Sequence, residues 1–197
     1  LVPIHDLMQP AIKYIHDLWH AENQAHGLST GMKNVDRLIT GLRPAEMFVL
    51  AARPSIGKTA IALNMVASIA LGEHGVPVGI FSLEMPSRLL VIRLICSEAR
   101  IGLTEIRDGA LTDGSWRNIM DAGAKIGASR IVIDDTGGLS ILELRHRARQ
   151  MKREYDIQIL FIDYLQLLTA DAGRNSTREN QVAMMSGSIK ALAKELN

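Results

Sequence analysis

Ala51-Ala52-Arg53-Pro54-Ser55-Ile56-Gly57-Lys58-Thr59 is the stretch on which the reading of this chain turns. From Ala52 onward it keeps the spacing GxxxxGKT, with alanine in place of the first glycine. An apolar run at about 47–51, expected as a strand, leads into it, and a helical segment at 58–71 leads out. A strand, a loop of this kind and a helix aim successive backbone N–H groups at one point, at the positive end of the helix dipole, where an anion is held. Gly57 lets the backbone come close to that anion. Lys58 reaches the β and γ phosphates of a nucleoside triphosphate, and the Thr59 hydroxyl ligates magnesium. Ala52, Arg53, Pro54, Ser55 and Ile56 complete the cradle. The competing reading is a plain strand-to-helix turn with an incidental Lys-Thr, and it is disfavoured because the flanking elements fall where the motif demands them.

A phosphate loop hydrolyses nothing alone, so an acid is expected at the end of a second buried strand. Asp163 closes the run Ile159-Leu160-Phe161-Ile162, the continuous apolar pattern of a strand covered on both faces. There it can hold magnesium beside the loop. An Asp that merely closes a turn is the alternative, and the pairing with the phosphate loop favours the metal. Glu84 stands just past a third apolar run, 78–82, within Phe81-Ser82-Leu83-Glu84-Met85-Pro86. In a parallel sheet the carboxyl ends of such strands share one edge, where ligands bind. Two readings of Glu84 stand side by side at this point. It is a general base for the attacking water, or a first-turn glutamate that favours the dipole of the helix after Pro86.

Further out, short apolar runs at 47–51, 78–82, 131–133 and 159–162 alternate with helical segments at 58–71, 87–99, 113–127, 140–155 and 177–196. That alternation predicts an α/β fold, a mostly parallel sheet flanked by helices. Ser140 after Gly137-Gly138 is placed to cap the helix it begins. A short helical stretch is expected at 35–39, and 170–178 reads as a mobile surface loop. Residues 4–19 carry Ile4, Leu7, Met8, Ala11, Ile12, Ile15, Leu18 and Trp19 on one helical face, ahead of the glycines Gly27, Gly31 and Gly41. The division expected is a linker helix at 1–25 and a nucleotide-binding domain at 26–197.

Two clusters have simpler readings. Arg145, Arg147, Arg149, Lys152 and Arg153 alternate with Leu144, Ala148, Met151 and Tyr155, which describes an amphipathic helix with a solvated basic face more readily than a nucleic-acid contact. His16 and His20 lie four apart without a third ligand, so surface histidines are the better reading. Hydrophobic residues at 47% and charged residues at 22% describe an ordinary globular chain. No apolar run approaches the about 20 residues of a spanning helix, and the amino terminus lacks the pattern of a secretory signal. A cytoplasmic protein without membrane contact is therefore expected. Cys96, the lone cysteine, reads as a buried thiol. A net charge of +1 argues neither for nor against nucleic acid.

Together AARPSIGKT (51–59), FSLEMP (81–86) and IDYLQL (162–167) resemble the DnaB family of replicative DNA helicases. GLSTG (27–31), LTEIRDGAL (103–111) and SIKALAKELN (188–197) extend the resemblance over essentially the whole chain, and the alanine at position 52 is in keeping with that family. The resemblance implies a RecA-like phosphate-loop ATPase core that uses ATP and Mg2+. It further implies a homo-hexameric ring that moves along single-stranded DNA, with primase and a helicase loader as partners. It makes Lys58 and Thr59 the triphosphate and magnesium ligands, Glu84 the catalytic base, Asp163 the metal-associated acid, and Gln166 a link between nucleotide state and DNA-binding loops. The first helix resembles the family's linker helix, which docks on a neighbouring motor domain. Similar proteins have a helical domain before this region and a further core strand, DNA-binding loops and an arginine finger after it, so the chain is expected to be a truncated motor. FSLEMP and IDYLQL disfavour a filament-forming recombinase. Lys58, Glu84 and Asp163 argue against a non-catalytic scaffold or loading partner.

Overall fold

An apolar run without polar alternation is stable as a strand only when both of its faces are covered. Three such runs form strands in the computed structural model, which describes residues 2–20, 27–53, 55–169 and 177–196, the side chains of 17, 18 and 20 aside. They are β1 (Val78–Ser82), β2 (Ile131–Asp134) and β3 (Ile159–Asp163). All pair in parallel in the order β2-β1-β3, with Val78 opposite Ile131 and Ile159, and Ser82 opposite Asp163. Central β1 is buried along its whole length and its neighbours are half-buried.

The helices are α1 (Ile4–His20), α2 (Lys33–Ile39), α3 (Lys58–Leu71), α4 (Ser87–Ala99), α5 (Leu103–Arg107), α6 (Asp113–Gly127), α7 (Ile141–Tyr155) and α8 (Arg178–Leu196), with a 3-10 turn at Leu165–Leu167. Parallel strands require crossovers: α4 to α6 lie between β1 and β2, and α7 lies between β2 and β3. Phe81 of β1 packs with Leu144, Ala148 and Met151 of α7 and with Met185 and Leu192 of α8. Gly79, on the same face by strand alternation, lies so close under α7 that a Cβ there would sit 2.9 Å from Ile157 Cδ1 and 3.3 Å from Met151 Sδ. Val78, Ile80 and Ser82 alternate to the opposite face and are buried as well. There α3 packs on β1 and on α4, and α4 packs on α6. Cys96 of α4 is buried as expected, and burial raises its thiol pKa.

The helix ends follow local chemistry. Thr112 caps α6 by accepting from Ser115 N at 3.1 Å. Ser140 and Glu143 form a reciprocal capping box on α7, the role expected of Ser140. Segment 47–51 departs from expectation, because it forms no strand. A strand exists through its hydrogen-bonded neighbour, and among the described residues none is paired with this one. Phe48, Val49 and Leu50 are accordingly exposed. The expected loop at 170–178 lies almost wholly outside the described residues, as does the side chain of His20. Among the described residues no three His, Cys, Asp or Glu form a metal-holding group.

The basic face of α7 is ion-paired rather than simply solvated. Arg149 Nε and Arg145 Nη2 reach Glu195 of α8 at 2.5 and 3.1 Å, Arg147 reaches Asp134 at 2.9 Å, and Lys152 reaches Asp156 at 3.0 Å. Leu144, Ala148 and Met151 are buried as the periodicity predicts, whereas Tyr155 is exposed. Hydrogen bonds from Arg149 and then Arg145 lower the Glu195 carboxyl from its ordinary 4.5 to about 2. A carboxyl depressed on folding adds stability above its unfolded value and loses it as pH falls through the folded one. Glu195→Gln should therefore lower the Tm most above a pH of about 4.5, with the deficit shrinking toward a pH of about 2. Circular dichroism melts across that range check it. A deficit that grows with acidity would contradict the pairing.

The chain divides into two compact units, 1–43 and 44–197, a later division than the one expected near His26. In the first unit the Leu28–Leu42 bridge closes a turn, and the Asp36 carboxylate accepts from Ser29 Oγ, Thr30 N and Thr30 Oγ1 at 2.7 to 2.8 Å. Among the described residues no helix is long and apolar enough to cross a membrane.

Candidate nucleotide site at the carboxyl edge of the sheet

Residues 51–53 are irregular and exposed, Ser55 takes φ 66° and Gly57 takes φ 105° before α3 begins at Lys58. Ala52, Arg53, Ser55 and Ile56 are all exposed, and Pro54 lies outside the described residues. At φ 105° a side chain is strained, and among the described residues, its chain neighbours aside, no atom lies within 4 Å of where a Gly57 Cβ would stand. The loop thus leaves open space in front of the helix. Gly57 gives α3 no side-chain cap and its first turn holds no acid, in contrast with α6 and α7. The first N–H groups of a helix have no intrahelical acceptor, so α3 presents uncapped donors and the positive end of its dipole to that space.

Across this opening stands the end of β3. Asp163 receives the Lys58 ammonium at 2.8 Å on one oxygen and the Thr59 hydroxyl at 2.8 Å on the other. Because Thr59 donates its proton to Asp163, its lone pairs stay available to a cation. A hydroxyl and a carboxylate together form the hard oxygen set that magnesium takes. The residues present therefore fit an anion with a divalent cation beside it.

Sequence reasoning missed Tyr164, whose ring lies 4.2 Å from Lys58 Nζ and shields one side of the ammonium. Its place next to Asp163 was the available signal. The Asp163–Tyr164 peptide bond is cis.

Glu84 lies two residues beyond Ser82, which is in register with Asp163, so it shares this edge. It is exposed, and its side chain has no hydrogen-bond or ion-pair partner among the described residues. The first turn of α4 holds no acid, and its Ser87 N–H is taken by Asp135 at 2.7 Å. Glu84 itself lies ahead of that first turn. Gln166 lies in the 3-10 turn after Asp163 with its side chain exposed, and its carbonyl accepts from Arg178 at the start of α8. Lys58, Thr59 and Asp163 meet directly, and among the described residues no hydrogen bond or ion pair joins Glu84 or Gln166 to them.

The model of the DnaB-like helicase C terminal domain matches residues 27–197. This chain belongs to that family. The replicative DNA helicase DnaB of Geobacillus stearothermophilus is 35% identical over 193 residues, covering 98% of this chain and 42% of the relative. The DnaB of Rickettsia prowazekii is 37% identical over 180 residues, 87% of this chain and 37% of the relative. The chain thus spans well under half the length of these curated relatives. Among solved structures, an ATPase domain superposes with a TM-score of 0.84 at 30% identity, over 96% of this chain and 67% of its own. A DnaB-like replicative helicase solved for its interactions with primase gives 0.84 at 30% identity, over 95% and 45%. The RecA-like phosphate-loop fold expected from the sequence is the fold found.

Proposed function

We propose that this chain is the motor of a replicative DNA helicase, coupling ATP hydrolysis at the subunit interfaces of a cytoplasmic homo-hexameric ring to movement along single-stranded DNA and unwinding of the duplex. The observation that carries the reading is the meeting of Lys58, Thr59 and Asp163 in front of the uncapped N-terminus of α3. Phosphoryl transfer asks little covalent chemistry of a protein and much positioning and charge stabilisation. Gly57 and the first-turn N–H groups seat the phosphates, and Lys58 meets the β and γ oxygens with a point charge held between Asp163 and the Tyr164 ring. Thr59 and Asp163 hold Mg2+, which when bound neutralises charge developing on the phosphates. Glu84 takes the proton of the attacking water, since its carboxylate carries no other partner among the described residues. Gln166, beside the metal acid and hydrogen-bonded through its backbone to Arg178 of α8, relays the nucleotide state to DNA-binding loops.

α1 supports the ring reading. Ile4, Leu7, Met8, Ile12, Ile15 and Trp19 are all exposed on it, as expected of a helix that docks on a neighbouring motor. Primase and a helicase loader are the partners this reading brings with it.

The natural full-length protein, examined by electron microscopy and by nucleotide turnover with and without single-stranded DNA, tests it. Closed rings and DNA-stimulated hydrolysis are expected. Open filaments would move the chain to the recombinase-type ATPases. Nucleotide binding without turnover would make it a scaffold and overturn the proposal.

A further inference from the structure

Because the Glu84 carboxylate has no partner of its own among the described residues, it stands where the 83–86 backbone puts it. That loop is tied at three points, one for each strand of the sheet. Ser82, buried at the end of β1, donates its hydroxyl to Met85 O at 2.6 Å and draws the ends of the loop together. Leu83 N donates to Asp163 O at 2.8 Å and fixes the near end to β3. At the far end, Ser87 N donates to Asp135 Oδ2 at 2.7 Å.

The third tie is unusual in its source. Ser87 is the first residue of α4, and Pro86 in the N-cap position makes no side-chain cap. The carboxylate that serves instead belongs to Asp135, immediately beyond β2. Its platform is firm, since Asp134 is held by Arg147 Nη1 at 2.9 Å and by Thr136 N at 2.9 Å. The backbone N–H of Ser87, then its hydroxyl, hold the Asp135 carboxyl below its ordinary value.

We propose that Asp135 is a positioning residue for Glu84, fixing from the neighbouring strand the helix-side end of the loop that aims the base, an inference that rests on Glu84 acting as the base. A general base works only within about 2.6–3.2 Å of the proton it takes. A misplacement of about 1 Å costs on the order of 10²-fold in rate. Asp135 holds the loop through the Ser87 backbone N–H, so its effect on turnover passes through the placing of Glu84.

Three substitutions in the natural full-length protein, assayed with Mg-ATP, separate positioning from folding. Asp135→Ala removes the acceptor, and Asp135→Asn keeps an oxygen that can accept the same N–H. Ser87→Pro removes the donor while leaving Asp135 and the helix in place. Proline is tolerated at the first helical position, and Pro86 already has the extended conformation, φ −58° and ψ 143°, that a residue before proline requires. Asp135→Ala and Ser87→Pro should each lower kcat by about 10-fold or more with unchanged nucleotide Kd, and Asp135→Asn should retain most turnover. In a Glu84→Gln background neither should cause a further fall. Full kcat in both variants would overturn the proposal, and so would losses that add in full to that of Glu84→Gln. Normal turnover by Glu84→Gln alone would instead remove the base reading itself, a result distinguishable because it needs no change at Asp135.

Discussion

Glu84→Gln is expected to bind Mg-nucleotide as the parent does and to lose about 10² to 10⁴ in turnover, the usual contribution of a positioned general base. The amide keeps the shape of the side chain and cannot take the proton of water. Nothing in the fold opposes the change, because the carboxylate is exposed and makes no hydrogen bond or ion pair among the described residues. The loop is held by Ser82, Leu83 and Ser87, none of which relies on the Glu84 side chain. Single-turnover hydrolysis beside a nucleotide-binding titration separates the two quantities. Hydrolysis at the parental rate would return Glu84 to a purely structural role.

For Lys58→Ala the loss should come at binding itself. A charge-assisted hydrogen bond contributes about 1.5–3 kcal/mol, so affinity for Mg-ATP should fall roughly 10- to 100-fold, at about 1.4 kcal/mol per tenfold. The substitution also frees one oxygen of Asp163, while Thr59 still donates to the other. Because the ion pair is only partly buried, the fold should survive its loss. Titration of a fluorescent nucleotide into the variant measures the effect, with a thermal melt to show that the fold is kept. Undiminished affinity would remove the phosphate-loop assignment.

What could be read from the sequence was what local pattern determines. Runs such as Ile131-Val132-Ile133 and Ile159-Leu160-Phe161-Ile162 lack alternation, and each became a strand within a residue of its expected bounds. Gly57-Lys58-Thr59 carried its own geometry, since the switch from loop to helix is written in the residue types. The segment 47–51 has the same apolar character and is not a strand, because pairing is a property of two segments and the pattern of one says nothing of its neighbour. The same limit hid the partners of α7. Its arginines read as a solvated face, yet Arg149 is answered by Glu195, 46 positions away. The short α5 lay inside a segment noticed only for its family likeness. Asp135 was invisible for a related reason, since a carboxylate that caps a helix 48 positions earlier in the chain has no local signature.

The way α8 completes the core bears on how the protein is made. Met185 and Leu192 pack in one cluster with Phe81, Leu144 and Met151. Phe81 emerges from the ribosome 111 residues before Leu192. At about 5–20 residues per second the wait is roughly 5 to 20 s. Throughout that interval Phe81 lacks its final cover, and for roughly the second half of it, once residues 131–134 have emerged, β1 and β2 are available to pair. Synthesis therefore passes through a stage in which an apolar sheet face is open to other chains, and it closes only once residues 178–196 have left the exit tunnel.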